Sequence, residues 1–330
     1  MYAVALDGFG GPEVMKWAKV DDLPGPGPGE VAIEVVAAGV NRADVLQRYG
    51  LYPPPAGASD TLGLEVSGVV VEVGAGVEEW QPGDAVCALL AGGGYAERVN
   101  VPATQVLPVP EGVSMTEAAA LPEAAATVWS NLVMTAGLTS GQVLLIHGGG
   151  SGIGTHAIQV GRALGARVAV TAGSQFKLER CRELGATTLI NYREQDFATV
   201  MAEEHSGANV ILDIMGAGYL PRNVRALAED GHLTIIGLQD GAVAEIDLGA
   251  LLIKRGSVHV TNLRRRPQFG PGSKTQIIAE LRKHVWPLIS DGKILPVVAA
   301  EIAITDVAEA HPLLDSAETV GKIVLTVREP

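Results

Sequence analysis

The stretch that most limits the fold is LLIHGGGSGIGTHAIQ, residues 144–159, where an apolar run meets five glycines and a serine and then turns amphipathic. That pattern predicts a buried strand, a tight turn and a helix. Small residues let a backbone approach an anion closely. A helix starting near Ser151 aims its free N–H groups and its dipole at that anion. Gly150, Ser151, Gly152 and Ile153 are therefore candidate phosphate contacts; without a ligand the same string is a plain glycine-rich turn.

The turn opens a regular alternation. Strand-like runs stand at 143–148, 167–172, 187–191, 209–216, 232–237 and 257–262, and helical segments such as 176–185 and 220–231 separate most of them. Six short apolar strands with intervening helices predict a doubly wound parallel sheet, an α/β architecture. Before about residue 120 the texture differs: 31–40, 64–74, 84–90 and 95–102 read as strands broken by Gly and Pro, with one helical patch at 41–50. An antiparallel β-rich domain is expected there. The Ala-rich segment 116–137 reads as helical and is expected to cross the domain junction. The tail, with a helix over 274–292, a strand near 297–304, a helix over 306–318 and a strand over 321–327, is expected to rejoin the first domain. The expected division is 1–121 with 264–330, and 122–263 as an insertion.

At 330 residues, two domains suit the chain better than one core. A net charge of −13 argues against a nucleic-acid or anionic-membrane partner. Only two cysteines, Cys87 and Cys181, are present, so no disulfide framework is available and a reducing compartment is expected. The N-terminus lacks a basic region followed by an apolar core, and no apolar run reaches the ~18 residues a membrane helix needs. The expectation is a soluble cytoplasmic protein.

The glycines also fit a short-chain dehydrogenase template, Gly148-x-x-x-Gly152-Ile153-Gly154. That family needs a Tyr-x-x-x-Lys pair, and none of the six tyrosines has a lysine four residues on. The dinucleotide string G-x-G-x-x-G is absent as well. A wider set of motifs is more specific: GGPE (10–13), NRADVLQRYGLYPPPAGAS (41–59), LGLEVSGVV (62–70), HGGGSGIGTHAIQ (147–159), TAGSQFKLE (171–179), NYREQDF (191–197), LLIKRGS (251–257) and GKIVL (321–325). In this order they resemble the medium-chain dehydrogenase/reductase superfamily. Within it they are most similar to the zinc-free quinone oxidoreductases, in the tumour-suppressor-inducible branch. The resemblance implies a GroES-like β-rich catalytic domain with an inserted six-stranded Rossmann domain, NADPH as cofactor, a quinone or enone substrate and a homodimer. An edge strand at 257–262 that can pair with its copy points to the same homodimer.

After the strand 167–172 an NAD-preferring sheet would carry Asp or Glu. Here Gly173, Ser174 and Gln175 follow, then Lys177, with no carboxylate to repel a 2′-phosphate. Ser174 and Lys177 are the expected phosphate partners, and Tyr192 matches a family residue near them. Zinc-dependent members place a Cys in the early helix and Gly-His-Glu at the later strand. These positions read Asn41 and Gly63-Leu64-Glu65, so neither a catalytic nor a structural zinc is expected. The resemblance further implies catalytic roles for Asn41, Tyr52 and Thr127, with Asn41 and Thr127 also at the nicotinamide. Tyr52 is either an oxyanion donor or a turn aromatic packed on Pro53–Pro55, and Tyr49 is an alternative donor. Gly237, Leu238 and Leu263 follow the last two strands, where cofactor-facing loops belong. Arg264 is a further candidate there, and Lys322 matches a family lysine near the cofactor. Quinone reduction is the leading expectation. Enone or enoyl-thioester reduction, and a non-catalytic crystallin-like or sensor role, remain open.

Overall fold

The computed structural model describes residues 1–328. The chain divides into two compact units: Met1–Ala126 with Arg264–Gly292 and Pro296–Pro330, and Thr127–Leu263 with Lys293–Leu295. In the first unit, β1 (Tyr2–Leu6) and β2 (Met15–Lys19) form a separate antiparallel pair. The main sheet is built around β3 (Glu30–Val40), a run of β-branched residues and alanines buried almost throughout. After α1 (Arg42–Arg48) come β4 (Glu65–Val73), β5 (Ala85–Leu89), β6 (Arg98–Pro102) and β7 (Val106–Pro108). Both β4 and β6 pair antiparallel with β3. Gly68 of β4 lies where a Cβ would sit 2.1 Å from the Glu34 carbonyl, so only glycine lets the strands approach at that irregularity.

The segment 116–137 is helical but interrupted. α2 (Met115–Ala118) is capped by Ser114 and ends before Pro122, which opens α3 (Pro122–Trp129); a π-helical turn, Ser130–Thr135, follows. Proline has no N–H to continue the preceding helix and a φ suited to starting the next one.

The second unit is a six-stranded parallel sheet. Its elements in chain order are β8 (Val143–His147), α4 (Gly152–Ala163), β9 (Arg167–Ala172), α5 (Gln175–Leu184), β10 (Thr188–Asn191), α6 (Phe197–His205), β11 (Ala208–Asp213), α7 (Leu220–Ala226), β12 (Leu227–Ile235), α8 (Leu248–Lys254) and β13 (Ser257–Val260). The strand order β10-β9-β8-β11-β12-β13 places β13 at an open edge. The expected helix over 220–231 is overridden at its end: Leu227 leaves α7, lies beside Ala208 of β11 and is buried, because sheet pairing outweighs local helix propensity.

The chain then returns to the first unit with α9 (Lys274–His284), α10 (Trp286–Ser290), β14 (Val298–Ala303), α11 (Val307–Leu313) and β15 (Lys322–Thr326). β15 adds antiparallel to β3, and β14 pairs parallel to β15. The strand pairs formed before residue 120 are all antiparallel, as expected for that segment, and the returning β14 adds a parallel pair. A helix joins β14 to β15, and such a crossover returns the chain in the same direction. Valines and isoleucines of β3, β4, β5, β6 and β15 form one core, and Leu145, Ile211, Phe197 and Leu233 belong to that of the other unit.

Candidate functional site

In the second unit the turn after β8 is shaped by what its glycines exclude. A Cβ on Gly154 would lie 2.3 Å from the Gly148 carbonyl, so the first turn of α4 packs directly on the chain that leads into it. Ser151 caps α4: its hydroxyl accepts from the Gly154 N–H at 3.0 Å and donates to the Gly148 carbonyl at 2.8 Å. The amides of Gly150, Gly152 and Ile153 donate to no acceptor among the described residues. They gather at the N-terminus of a twelve-residue helix, which concentrates partial positive charge there.

The residues expected to select the phosphate lie beside that turn. Gly173 follows β9 on the way to α5, and the Tyr192 hydroxyl fills the place of its missing side chain, 2.4 Å from where a Cβ would be. Ser174 caps α5 by accepting from the Lys177 N–H. The Lys177 side chain crosses back over Gly150, with Cδ 3.2 Å from that glycine's Cβ position. Burial holds the Lys177 ammonium below its usual range, and the charge of Arg193 pushes it the same way. Arg193 is thus a second cation at this edge that sequence reasoning passed over, although it directly follows Tyr192. Cys181, packed under Gly149, has its thiol pushed up to about 12 by burial, which leaves it inert.

The other expected residues of this unit lie along different strand ends. Gly237 follows β12, where a Cβ would meet the Ile214 carbonyl at 2.7 Å, and the neighbouring Leu238 is exposed. Thr127 is buried, and its carbonyl accepts from Asn131, whose side-chain oxygen accepts from Thr261 just after β13. Leu263, two residues on, is buried too.

In the first unit the central feature is an interior set of charges around Asn41. The Lys322 ammonium is 2.6 Å from Glu65 Oε1, 2.7 Å from Asn41 Oδ1 and 3.0 Å from the Val40 carbonyl. Asn41 Nδ2 donates to the same Glu65 oxygen at 3.0 Å, and Glu65 Oε2 accepts from the Glu123 backbone N–H at 2.9 Å. Lys322, expected as a cofactor contact, has its three donors committed to these protein oxygens. The Glu123 carboxyl is pushed up to about 8, first by burial and then by the Glu65 carboxylate.

A buried hydrogen-bond chain fixes the backbone of Asn41 from the other side. Asp44 Oδ2 accepts from the Asn41 N–H at 2.8 Å, and Oδ1 accepts from the Gly63 N–H at 3.0 Å. Tyr95 Oη lies 3.3 Å from Asp44 Oδ2 and 3.3 Å from His311 Nε2, and Arg48 Nη1 is 3.0 Å from His311 Nδ1. An arginine only donates, so Nδ1 accepts and the ring proton belongs on Nε2. Tyr95 then accepts from His311 and donates to Asp44. Burial, with Arg48 and Arg42 adding to it, holds His311 down to about 3, so it is neutral. Burial raises Asp44 to about 6 against the opposing pull of those hydrogen bonds and of Lys322.

Tyr52 is partly buried, with the Arg264 guanidinium 5.4 Å from its ring centre; Arg264 also donates to the Tyr52 carbonyl at 3.3 Å and to the Ala91 carbonyl at 2.7 Å. Tyr49 is exposed beneath Arg48. Asp44 had a local signal, since Asn-x-x-Asp is a capping pattern at the start of α1. The Glu65–Lys322 pair had none, because its members lie at opposite ends of the chain.

Residues 27–111 match the alcohol dehydrogenase GroES-like domain family, and 152–275 match the zinc-binding dehydrogenase family. Quinone oxidoreductase 1 of Escherichia coli is 33% identical over 323 residues, 96% of this chain and 96% of that protein. The chain belongs to the medium-chain dehydrogenase/reductase superfamily, in its zinc-free quinone oxidoreductase-like family. A mycocerosic acid synthase-like polyketide synthase of Mycobacterium tuberculosis is 30% identical over 319 residues, 96% of this chain, which spans only 15% of that protein. The crystal structure of Escherichia coli quinone oxidoreductase complexed with NADPH superposes with a TM-score of 0.86 at 31% identity, over 99% of this chain and 100% of that one. An enoyl reductase crystal structure superposes equally well, with a TM-score of 0.86 at 28% identity over 98% of each chain.

The zinc in one family description has no fitting donor set around Asn41 and Glu65. Both side chains are engaged by a lysine ammonium, and a second cation there would meet charge repulsion in a buried place.

Proposed function

We propose that this chain is an NADPH-dependent reductase that delivers hydride to conjugated carbonyl acceptors, quinones foremost, without a metal. The observation that carries the reading is the turn of the second unit, with three unpaired amides at a helix N-terminus and Ser174, Lys177 and Tyr192 beside it. In this reading the amides of Gly150, Gly152 and Ile153, with Ser151 shaping the turn, take the pyrophosphate. Ser174, Lys177 and Tyr192 take the 2′-phosphate, and Gly173 keeps the strand end free of a carboxylate that would repel it. Gly237, Leu238, Thr127 and Leu263 belong to the nicotinamide end.

When bound, NADPH supplies the hydride. A quinone or enone needs no Lewis acid because it spreads the incoming charge onto oxygen. The protein's share is therefore position, exclusion of water and a few hydrogen bonds. Asn41 offers an amide of fixed direction to a carboxamide or an acceptor oxygen. Tyr52 is assigned the hydrogen bond to the developing oxyanion, its ring steadied by Arg264. The balanced reaction takes quinone, NADPH and one proton to hydroquinone and NADP⁺.

A second reading, an enone or enoyl-thioester reductase, is favoured by the likeness to the enoyl reductase structure. An acceptor panel separates the readings: purified protein with NADPH, offered 1,2-naphthoquinone, a simple enone and crotonyl thioester. Quinone turnover well above the others supports the leading proposal, and turnover of the thioester alone replaces it. NADPH binding with no turnover of any acceptor indicates a sensor or crystallin-like protein.

The assembly we assign is a cytoplasmic homodimer. β13 leaves one side of its backbone unpaired, and Val260, Leu248, Leu252 and Ile253 are exposed on that strand and on α8. A second copy is suited to cover both. No helix among the described residues is long and apolar enough to cross a membrane.

A further inference from the structure

Lys322 is 5% exposed and Glu65 is fully buried, so their ion pair is interior. Two long charged side chains are rarely buried for stability alone, because desolvating both ions offsets much of their attraction. What distinguishes this pair is the third member. Asn41 is half-buried, with Oδ1 receiving the lysine ammonium at 2.7 Å and Nδ2 donating to the Glu65 carboxylate at 3.0 Å.

An asparagine amide has nearly the same shape in either of its two flipped orientations; only its hydrogen-bond partners tell oxygen from nitrogen. Here the partners are unambiguous. An ammonium can only donate and a carboxylate can only accept. A flipped Asn41 would set its NH₂ against NH₃⁺ and its oxygen against the carboxylate. We infer that Lys322 is a positioning residue: a fixed internal cation that, together with Glu65, holds the Asn41 amide in one orientation and leaves a lone pair of Oδ1 to accept from a ligand N–H. The lysine takes the counter-ion role that a metal would otherwise have beside Glu65, which explains why no fitting metal site remains there. The backbone N–H of Asn41 is held by Asp44 at 2.8 Å, so main chain and amide are both fixed before any ligand arrives.

The consequence for catalysis rests on the reductase reading, but the orientation itself does not, and the test separates them. Lys322→Met alone leaves the Glu65 charge buried and unpaired, which threatens folding. The informative variant is therefore Lys322→Met with Glu65→Gln, which removes both charges together, and Lys322→Arg is its conservative counterpart. The first readout uses protein labelled with ¹⁵N-asparagine, with the Asn41 side-chain amide signal assigned through Asn41→Ala. In the wild type that amide is shifted and protected from solvent exchange. In the double variant it loses its protection while the melting temperature recovers toward the wild-type value. The second readout is steady-state turnover of 1,2-naphthoquinone. The double variant loses about tenfold to a hundredfold in kcat, as expected for a displaced binding group, and Lys322→Arg restores most of the loss. A double variant with wild-type amide signals and wild-type kcat overturns the inference and leaves the pair purely structural. If wild-type protein turns over no acceptor, the reductase reading falls and the amide signals alone decide the positioning.

Discussion

A single lysine separates the two nicotinamide nucleotides in the reading proposed above. Lys177 lies across Gly150 and beside Ser174, and nothing acidic follows the strand that ends at Ala172. A charge-assisted contact to a phosphate contributes about 1.5–3 kcal/mol. Lys177→Ala is therefore expected to weaken NADPH binding by about tenfold to a hundredfold and to leave NADH binding nearly unchanged, as read by calorimetric titration of both nucleotides. Equal weakening of both would show that Lys177 does not address the 2′-phosphate. At this scale legibility depended on distance along the chain. Gly173, Ser174 and Lys177 are neighbours in sequence and could be read together. Glu65 and Lys322, and the chain Arg48–His311–Tyr95–Asp44, are assembled by α1, β4, α11, β15 and the segment before β6, so apart from the Asn-x-x-Asp cap spacing carried no sign of them.

Elements divide along the same line. The parallel strands and the turn before α4 were plain, because apolar runs and glycine punctuation are local signals. The break at Pro122 was also local, yet the alanine-rich surroundings hid it. The start of β12 at Leu227 had no local signal at all, since pairing with β11 decides it. The turn before α4 carries a firm prediction. A Cβ on Gly154 would overlap the Gly148 carbonyl, so Gly154→Ala should destabilise the fold by about 1–3 kcal/mol and displace the free amides. Thermal melting and NADPH titration should report both losses together; an unchanged melt with full NADPH affinity would refute the tight packing. For the edge strand, Val260→Lys with Leu252→Lys is expected to give a monomer by sedimentation velocity. An unaltered dimer would place the interface elsewhere.

For the whole molecule, buried histidines and buried carboxyls together set the response to acid. Burial holds His147 and His156 down to about 4 and His311 down to about 3, against an ordinary value of 6.5. A histidine kept neutral in the fold binds its proton only after unfolding. The unfolded state therefore gains protons as pH falls below 6.5, and stability drops there by ~1.4 kcal/mol per pH unit for each such histidine. The loss levels off once the folded-state values of about 4 and 3 are passed. Asp44 and Asp213, raised by burial to about 6, and Glu123, raised to about 8, take up protons in the folded state over the same range and oppose that loss. The histidine share is therefore read by difference: in urea unfolding between pH 7 and pH 4, His311→Gln should lose less stability than the wild type. Equal losses in the variant and the wild type would mean that the His311 ring is charged in the folded protein.

Reduction of a quinone at the expense of NADPH is the activity proposed for this chain, and it is open to direct measurement. Purified protein is mixed anaerobically with NADPH and 1,2-naphthoquinone, and the loss of reduced-nicotinamide absorbance is followed beside a parallel reaction with NADH. Saturable, protein-dependent oxidation of NADPH is expected, with kcat/KM for NADPH clearly above that for NADH. Oxidation no faster than in the protein-free control, or a preference for NADH, would contradict it.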